Sequence, residues 1–205
     1  MIRNIVSDLG GCLFLCDFKH IAERLAKQSS SSEEKIEKMI TRGKDYKDYE
    51  KGIISSEIFY LRMKEKINFR GSFELFKKIW MEQFFSVNPE YAKLLINLLK
   101  LDYKIYCLSN INELHWKKIT NDFYEMAFFH GCFLSFKMKK IKPDLEIYKE
   151  IIEKIKDPTQ KFLFIDDKEK NLKGAKKAGM HSLLYHREKH DEFLEKMNFS
   201  LNYSI

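Results

Sequence analysis

Ile5-Val6-Ser7-Asp8-Leu9-Gly10-Gly11-Cys12-Leu13 is the stretch from which the rest of the chain can be read. An apolar run of β character ends at a carboxylate, Asp8, and two glycines follow at once. Such a pair lets the backbone turn sharply and present its amides to a ligand. In open α/β sheets ligands bind beyond the carboxyl ends of the strands. Asp8 therefore stands where a nucleophile or a metal ligand is useful. An Asp that only caps a turn has the same local sequence.

Moving outward, the pattern turns helical after Leu15. Phe18, Ile21, Ala22 and Leu25 recur at helical spacing, as do Ile36, Met39 and Ile40 before a stop at Gly43. Lys44 to Tyr49 is polar and aromatic and is broken by Gly52. Ser55 or Ser56 can cap a helix carrying Ile58, Phe59, Leu61 and Met63, and Ser72 another carrying Phe73, Phe76, Ile79, Trp80 and Phe84. Residues 17–88 thus read as a small helical domain. Asn88-Pro89 is a helix start, and α and β then alternate. Strands are expected at Lys104–Ser109, Gly131–Phe136, Lys161–Asp166 and His181–Tyr185. Helices are expected at Asn112–Thr120, Asp144–Ile155, Glu169–Ala178 (stopped by Gly179) and His190–Met197. Alternation of this kind implies an α/β fold, a parallel sheet between helical layers. The helical block splits that unit into residues 1–16 and 89–205.

Composition narrows the classes. The 205 residues hold 17 Phe and 10 Tyr, enough apolar mass for a core, and only three Pro, which argues against long linkers. No run approaches the ~18 apolar residues of a membrane span. The first residues lead straight into a strand without a signal region, so a cytoplasmic location is expected and no membrane partner. Cys12, Cys16, Cys107 and Cys132 lack zinc-type spacing and read as buried thiols. A net charge of +7 favours anionic partners. Composition does not separate a phosphorylated metabolite from nucleic acid, but no nucleic-acid motif is present and dispersed lysines are weak evidence for that partner. A small phosphorylated metabolite, with no nucleic acid, is expected. The oligomeric state is left open, a monomer included.

Three further polar sites lie at or just after strands: Ser109-Asn110, Lys142-Pro143 and Asp166-Asp167. In a parallel sheet they gather with Asp8. Each has an ordinary reading. Asn110 with Glu113 fits a capping box, Lys142 is one lysine among many, and the two acids can cap the next helix. Together they make a coherent phosphoryl-transfer site. Asp8 would attack phosphorus and form an aspartyl phosphate. A cation must separate that carboxylate from the phosphate, and Mg²⁺ accepts carboxylate, carbonyl and water oxygens. Asp8, Asp167 and the Gly10 carbonyl can supply ligands, with Asp166 acting through metal-bound water. Ser109, Asn110 and Lys142 would hold the remaining phosphate oxygens. A receiver domain carries similar residues, but its acidic pair follows the first strand.

In motif order the chain resembles the haloacid dehalogenase superfamily of Mg²⁺-dependent phosphatases, closest to the subgroup with bacterial α-D-glucose-1-phosphate phosphatase. Ser7-Asp8-Leu9-Gly10-Gly11, Leu108-Ser109-Asn110-Ile111-Asn112 and Lys142-Pro143-Asp144-Leu145-Glu146-Ile147-Tyr148 carry the first three motifs. Phe164-Ile165-Asp166-Asp167, Asn171, Gly174-Ala175 and Gly179-Met180 carry the fourth. The resemblance implies a Rossmann-like three-layer core, a helical cap over residues 17–88, and hydrolysis of a small phosphomonoester such as glucose 1-phosphate. It also likens Glu50-Lys51-Gly52-Ile53-Ile54-Ser55 to a cap segment near the site entrance.

Two departures stand out. Most phosphatases of the superfamily carry an acid/base Asp two residues after the nucleophile, where this chain has Gly10, as the subgroup does. Such groups contribute about 10²–10⁴-fold. Lys137-Met138-Lys139-Lys140-Ile141 also lacks a Gly that relatives often carry before Lys-Pro. These departures keep a second expectation open, a weak or inactive member of the fold that serves as a binding module. A mutase needs the acid/base group and fits less well. The metal-free dehalogenase branch leaves Asp166 and Asp167 without a purpose.

Overall fold

A computed structural model describes residues 2–158 and 161–201. Its main sheet has five parallel strands in the order β5-β4-β1-β6-β7. These are β1 (Asn4–Ser7), β4 (Lys104–Ser109), β5 (Gly131–Leu134), β6 (Phe162–Asp166) and β7 (His181–Leu184). Strand β1 sits at the centre and β6 beside it, and both are buried along their whole length. A central parallel strand has no solvent face, which is why Ile5-Val6 and Phe162 to Ile165 read as unbroken apolar runs.

Alternate residues serve opposite faces. Ile5, Leu163 and Ile165 pack with Tyr91, Leu94, Leu95 and Leu98 of helix α6 (Pro89–Lys100) and with Phe193 and Met197 of α11 (His190–Leu201). Val6, Phe162 and Phe164 pack the other way, against Ile147, Tyr148 and Ile151 of α9 (Leu145–Ile155) and Leu172 and Ala175 of α10 (Glu169–Lys177). The result is the expected α/β/α sandwich. Because every strand runs the same way, Asp8, Ser109 and Asp166 arrive at one edge.

Between β1 and α6 lie five helices, α1 (Phe18–Ala26), α2 (Glu33–Arg42), α3 (Lys44–Glu50), α4 (Ser56–Ile67) and α5 (Phe73–Trp80). Their apolar faces share a cluster around Phe59, Phe76 and Trp80, apart from the clusters of the sheet. Strands β2 (Phe14–Cys16) and β3 (Phe84–Val87) pair antiparallel where the chain leaves the sheet and returns. Asn88 pins the return: its N–H donates to the Leu13 carbonyl (2.8 Å) and its Nδ2 to the Cys12 carbonyl (3.0 Å).

Three helix starts follow the expected side chains. Ser55, Ser72 and Asn88 accept from the amides of Ile58, Leu75 and Tyr91. Gly179, just past α10, takes a φ of +92°, which only glycine adopts freely.

Several expectations change. The helix expected to carry Phe84 ends at Trp80, and Phe84–Val87 forms β3 instead, while Ile58 and Leu61 of α4 are exposed. Lys44 to Tyr49, inside the expected helical block, is helical, and a spacing of three puts Tyr46 and Tyr49 on one face. Tyr49 stacks on Phe59 (4.6 Å) and Tyr46 lies edge-on to Trp80 (6.0 Å). Strand β5 stops at Leu134, and Ser135–Met138 forms a helical turn, α8. The capping box at Asn110 is not formed. Helix α7 (Glu113–Asp122) is capped by Asn112, whose Oδ1 accepts from the His115 amide (3.0 Å). No helix among the described residues is long and apolar enough to cross a membrane.

Candidate active site

The loop after β1 holds Asp8 with its main chain. The Asp8 N–H donates to the Ile165 carbonyl (2.9 Å), extending the ladder to β6, and the Leu9 N–H donates to Asp8 Oδ1 (2.7 Å). Asp8 Oδ2 lies 2.9 Å from Lys142 Nζ. That ammonium also donates to Asp166 Oδ2 (2.6 Å) and the Leu108 carbonyl (2.9 Å). Neither the Lys142 nor the Asp166 side chain is exposed to solvent. One cation thus joins the ends of β1, β4 and β6. The same lysine precedes a cis bond to Pro143.

Asp166 does not cap α10, whose first turn has no side-chain cap. Its Oδ1 accepts from the Lys168 N–H (2.9 Å), and Asn171 Nδ2 reaches both carboxylate oxygens (2.8 and 3.0 Å). This is a correction to the capping reading, and it defines Asp166 chiefly as the residue that positions Lys142. Asn110 turns out to be a brace as well. Its Oδ1 accepts from the Lys142 N–H (2.8 Å) and its Nδ2 donates to the Lys142 carbonyl (3.0 Å). The sequence signal for Asn171 was its place in the fourth motif. Its pairing with Asp166 needed the fold.

The electrostatics separate the three acids. Burial pushes Asp166 up, but Lys142 and the other donors outweigh it and hold its carboxyl below the usual range. Asp8 goes the other way. Burial raises it, Lys142 opposes, and Asp166 and Asp167 add to the rise, which reaches about 7. Asp167 is also raised, first by burial, with Lys168 opposing and Asp166 contributing. Lys142 pays for burial, but Asp166 and Asp8 more than offset this and raise its ammonium. Asp8 and Asp167 therefore sit where burial and neighbouring acids disfavour their ionised forms and the nearby lysines offset this only in part.

A divalent cation fits that deficit. Oxygens of Asp8, Asp166 and Asp167 lie within 4.8 Å of one another. Asp167 Oδ1 is buried and accepts no hydrogen bond. An all-oxygen donor set suits a hard ion such as Mg²⁺. Asp8, Gly10, Ser109, Asn110, Lys142 and Asp167 line a common cavity of about 960 Å³. Its wall also includes residues of α2 and α3, among them Arg42, Tyr46 and Glu50. The site expectations named Asp8, Gly10, Ser109, Asn110, Lys142, Asp166 and Asp167, and from the helical block only the Glu50–Ser55 segment at the entrance, of which Glu50 lines the cavity.

Gly11 illustrates how tightly the loop is fitted. Its φ is +80°, and a β-carbon there would sit 2.5 Å from Asp167 Oδ2. Gly11→Ala is expected to cost about 1–2 kcal/mol from the left-handed backbone alone. It should also displace Asp167. Urea unfolding and a Mg²⁺ titration of the variant read both effects, and unchanged values would contradict this packing.

Comparison with known proteins places the fold in a family. The profile described as haloacid dehalogenase-like hydrolase matches residues 2–179. A HAD family enzyme of Bacteroides thetaiotaomicron, crystallised with magnesium and inorganic phosphate, superposes with a TM-score of 0.78 at 29% identity. That match covers 90% of this chain and 94% of the other. The D-ribitol-5-phosphate phosphatase of B. thetaiotaomicron is 24% identical over 194 residues, 89% of this chain and 91% of that protein. A drimenol cyclase of Aspergillus calidoustus is 21% identical over 192 residues, 92% of this chain, and the chain spans 35% of its length.

Proposed function

The chain belongs to the haloacid dehalogenase-like hydrolase family, and on that footing we propose that it is a Mg²⁺-dependent phosphatase acting on a small phosphorylated metabolite. The observation that carries this reading is the junction of Asp8, Lys142 and Asp167 at the base of one cavity. Asp8 is the nucleophile. The Leu9 N–H holds one of its oxygens, so the carboxylate has little freedom to rotate away. Attack on phosphorus forms an Asp8–phosphate bond as the bond to the leaving oxygen breaks. Lys142 neutralises the phosphoryl oxygens as charge shifts among them, and its ties to Asp166 and the Leu108 carbonyl fix its direction. The Ser109 hydroxyl and an Asn110 N–H supply the remaining phosphate contacts.

Asp8, Asp167 and the Gly10 carbonyl would hold Mg²⁺, which screens the acids from the incoming dianion and draws charge off phosphorus. Residues 17–88 act as the cap, closing the cavity against water during reaction. The substrate is a sugar or polyol phosphate in this reading, because one relative that matches along nearly its whole length is a D-ribitol-5-phosphate phosphatase. Exposed Arg42, Lys47, Lys168 and Arg187 around the cavity favour such anions. The free cysteines fit a reducing, cytoplasmic compartment.

Phosphate release from a metabolite panel tests the proposal. The panel includes α-D-glucose 1-phosphate and D-ribitol 5-phosphate, each with Mg²⁺ and with EDTA. Release that depends on Mg²⁺ is expected, and no release from any compound would favour the binding-module reading. Thermal unfolding gives an independent check. Mg²⁺ at a hundred times its Kd should stabilise the protein by about 2.7 kcal/mol. Asp167→Asn should reduce that gain, and an equal gain in the variant would remove Asp167 from the metal site.

A further inference from the structure

Gly10 leaves the loop after Asp8 without a side chain for proton transfer, so that group must come from elsewhere in the cavity if the phosphatase reading holds. The other cavity-lining candidates are poorly placed. His115 uses both ring nitrogens, on Asn112 (2.9 Å) and the Trp80 carbonyl (2.9 Å), and burial lowers it to about 3. Asp144 is exposed and pairs with Lys51 at 3.7 Å. Tyr185 bonds Asn88 and His190. His186 and Glu188 are exposed.

Glu50, at the end of α3, is different. Its Oε1 accepts from the Tyr46 hydroxyl (2.7 Å), which fixes the carboxyl. Its main-chain carbonyl accepts from Ser135 Oγ (2.6 Å). Ser135 Oγ in turn accepts from the Ile111 N–H (2.9 Å). The end of α3 is thereby tied to the loop that bears Ser109 and Asn110. We propose that Glu50 replaces the missing acid/base residue, donating the proton to the leaving oxygen and then taking one from the hydrolytic water.

The steps balance. In the first, Asp8 bonds to phosphorus, the ester P–O bond breaks, and the leaving oxygen takes the Glu50 proton to become an alcohol. In the second, water attacks the aspartyl phosphate, Glu50 recovers a proton from it, and the bond to Asp8 breaks to free phosphate and carboxylate. The surroundings suit both roles. Burial raises the Glu50 carboxyl, Tyr46 and Lys168 oppose, Asp8 adds and Lys142 lowers, leaving it at about 7. An acid/base group works best near the operating pH.

The test compares wild type, Glu50→Gln and Glu50→Asp on p-nitrophenyl phosphate and on the best alkyl phosphomonoester of the panel, with circular dichroism to confirm folding. Nitrophenolate leaves without a proton, whereas an alkoxide needs one. Glu50→Gln should cut alkyl ester cleavage by about 10²-fold or more. It should still release one equivalent of nitrophenolate at close to the wild-type rate and then stall. Glu50→Asp should recover part of the alkyl ester rate. Equal loss of both first-turnover rates, or loss of neither, would overturn the assignment while leaving the phosphatase reading intact. No phosphate release by wild type from either ester would overturn both.

Discussion

Asp8→Asn is expected to lower phosphate release by about 10⁴-fold or more, the scale seen when a nucleophile that works as part of a unit is removed. A carboxamide is no match for a carboxylate as a nucleophile, yet it has nearly the same shape. Its oxygen can still accept from the Leu9 N–H, and Lys142 keeps Asp166 as its partner. The fold should therefore survive. In metal-free protein the variant should even be the more stable at neutral to alkaline pH. Burial and the neighbouring acids hold the folded-state carboxyl of Asp8 at about 7, against an ordinary 3.8. A group raised in this way contributes stability that is fully present below the unfolded value and is lost as pH rises through the folded value. Asparagine removes that loss. Urea unfolding in EDTA should show the difference growing in favour of Asp8→Asn between pH 4 and pH 8. A constant difference would mean that Asp8 is not strained by its neighbours, and retained turnover would end its role as nucleophile.

Lys142→Met is expected to cost about 3–5 kcal/mol of stability, together with most of the activity. Methionine replaces much of the volume of the stem but carries no charge. Asp166 is fully buried and would lose the cation that holds its carboxyl low. Asp8, already raised, would lose the same neighbour. Breaking a buried pair is costly because one partner stays behind unpaired, even where the intact pair adds little net stability. The double variant Lys142→Met with Asp166→Asn should recover part of the loss, since it removes one stranded charge. If denaturant midpoints show the double variant no more stable than Lys142→Met, the cost lies in packing and not in charge.

Much of this arrangement can be read from local sequence. A buried parallel strand is mostly apolar, so a carboxylate or hydroxyl at its carboxyl end marks the ligand edge, as at Asp8, Ser109 and Asp166. Ser55, Ser72 and Asn88 behave as caps because capping is settled within four residues. Even so, Asn110 and Asn112 are both plausible caps on paper. The choice fell to Asn112 because Asn110 is drawn to the Lys142 main chain, 32 residues away. Within the helical block, Lys44 to Tyr49 has only two residues apolar enough to mark a face. The aromatic cluster with Phe59 and Trp80 supplies what the periodicity lacked.

By itself, then, the sequence determined the α/β alternation, the helical insertion after the first strand, and the set of polar groups that end the strands. Those features depend on spacing along the chain, and strand and helix periods record them directly. Tertiary structure alone decided the partners. It placed Lys142 between Asp8 and Asp166, left Asp167 Oδ1 without a hydrogen bond, and held Glu50 beside the cavity through Ser135, 85 residues away. Burial sets the charge state of such groups, and burial belongs to the packed sheet and helices rather than to any stretch of residues.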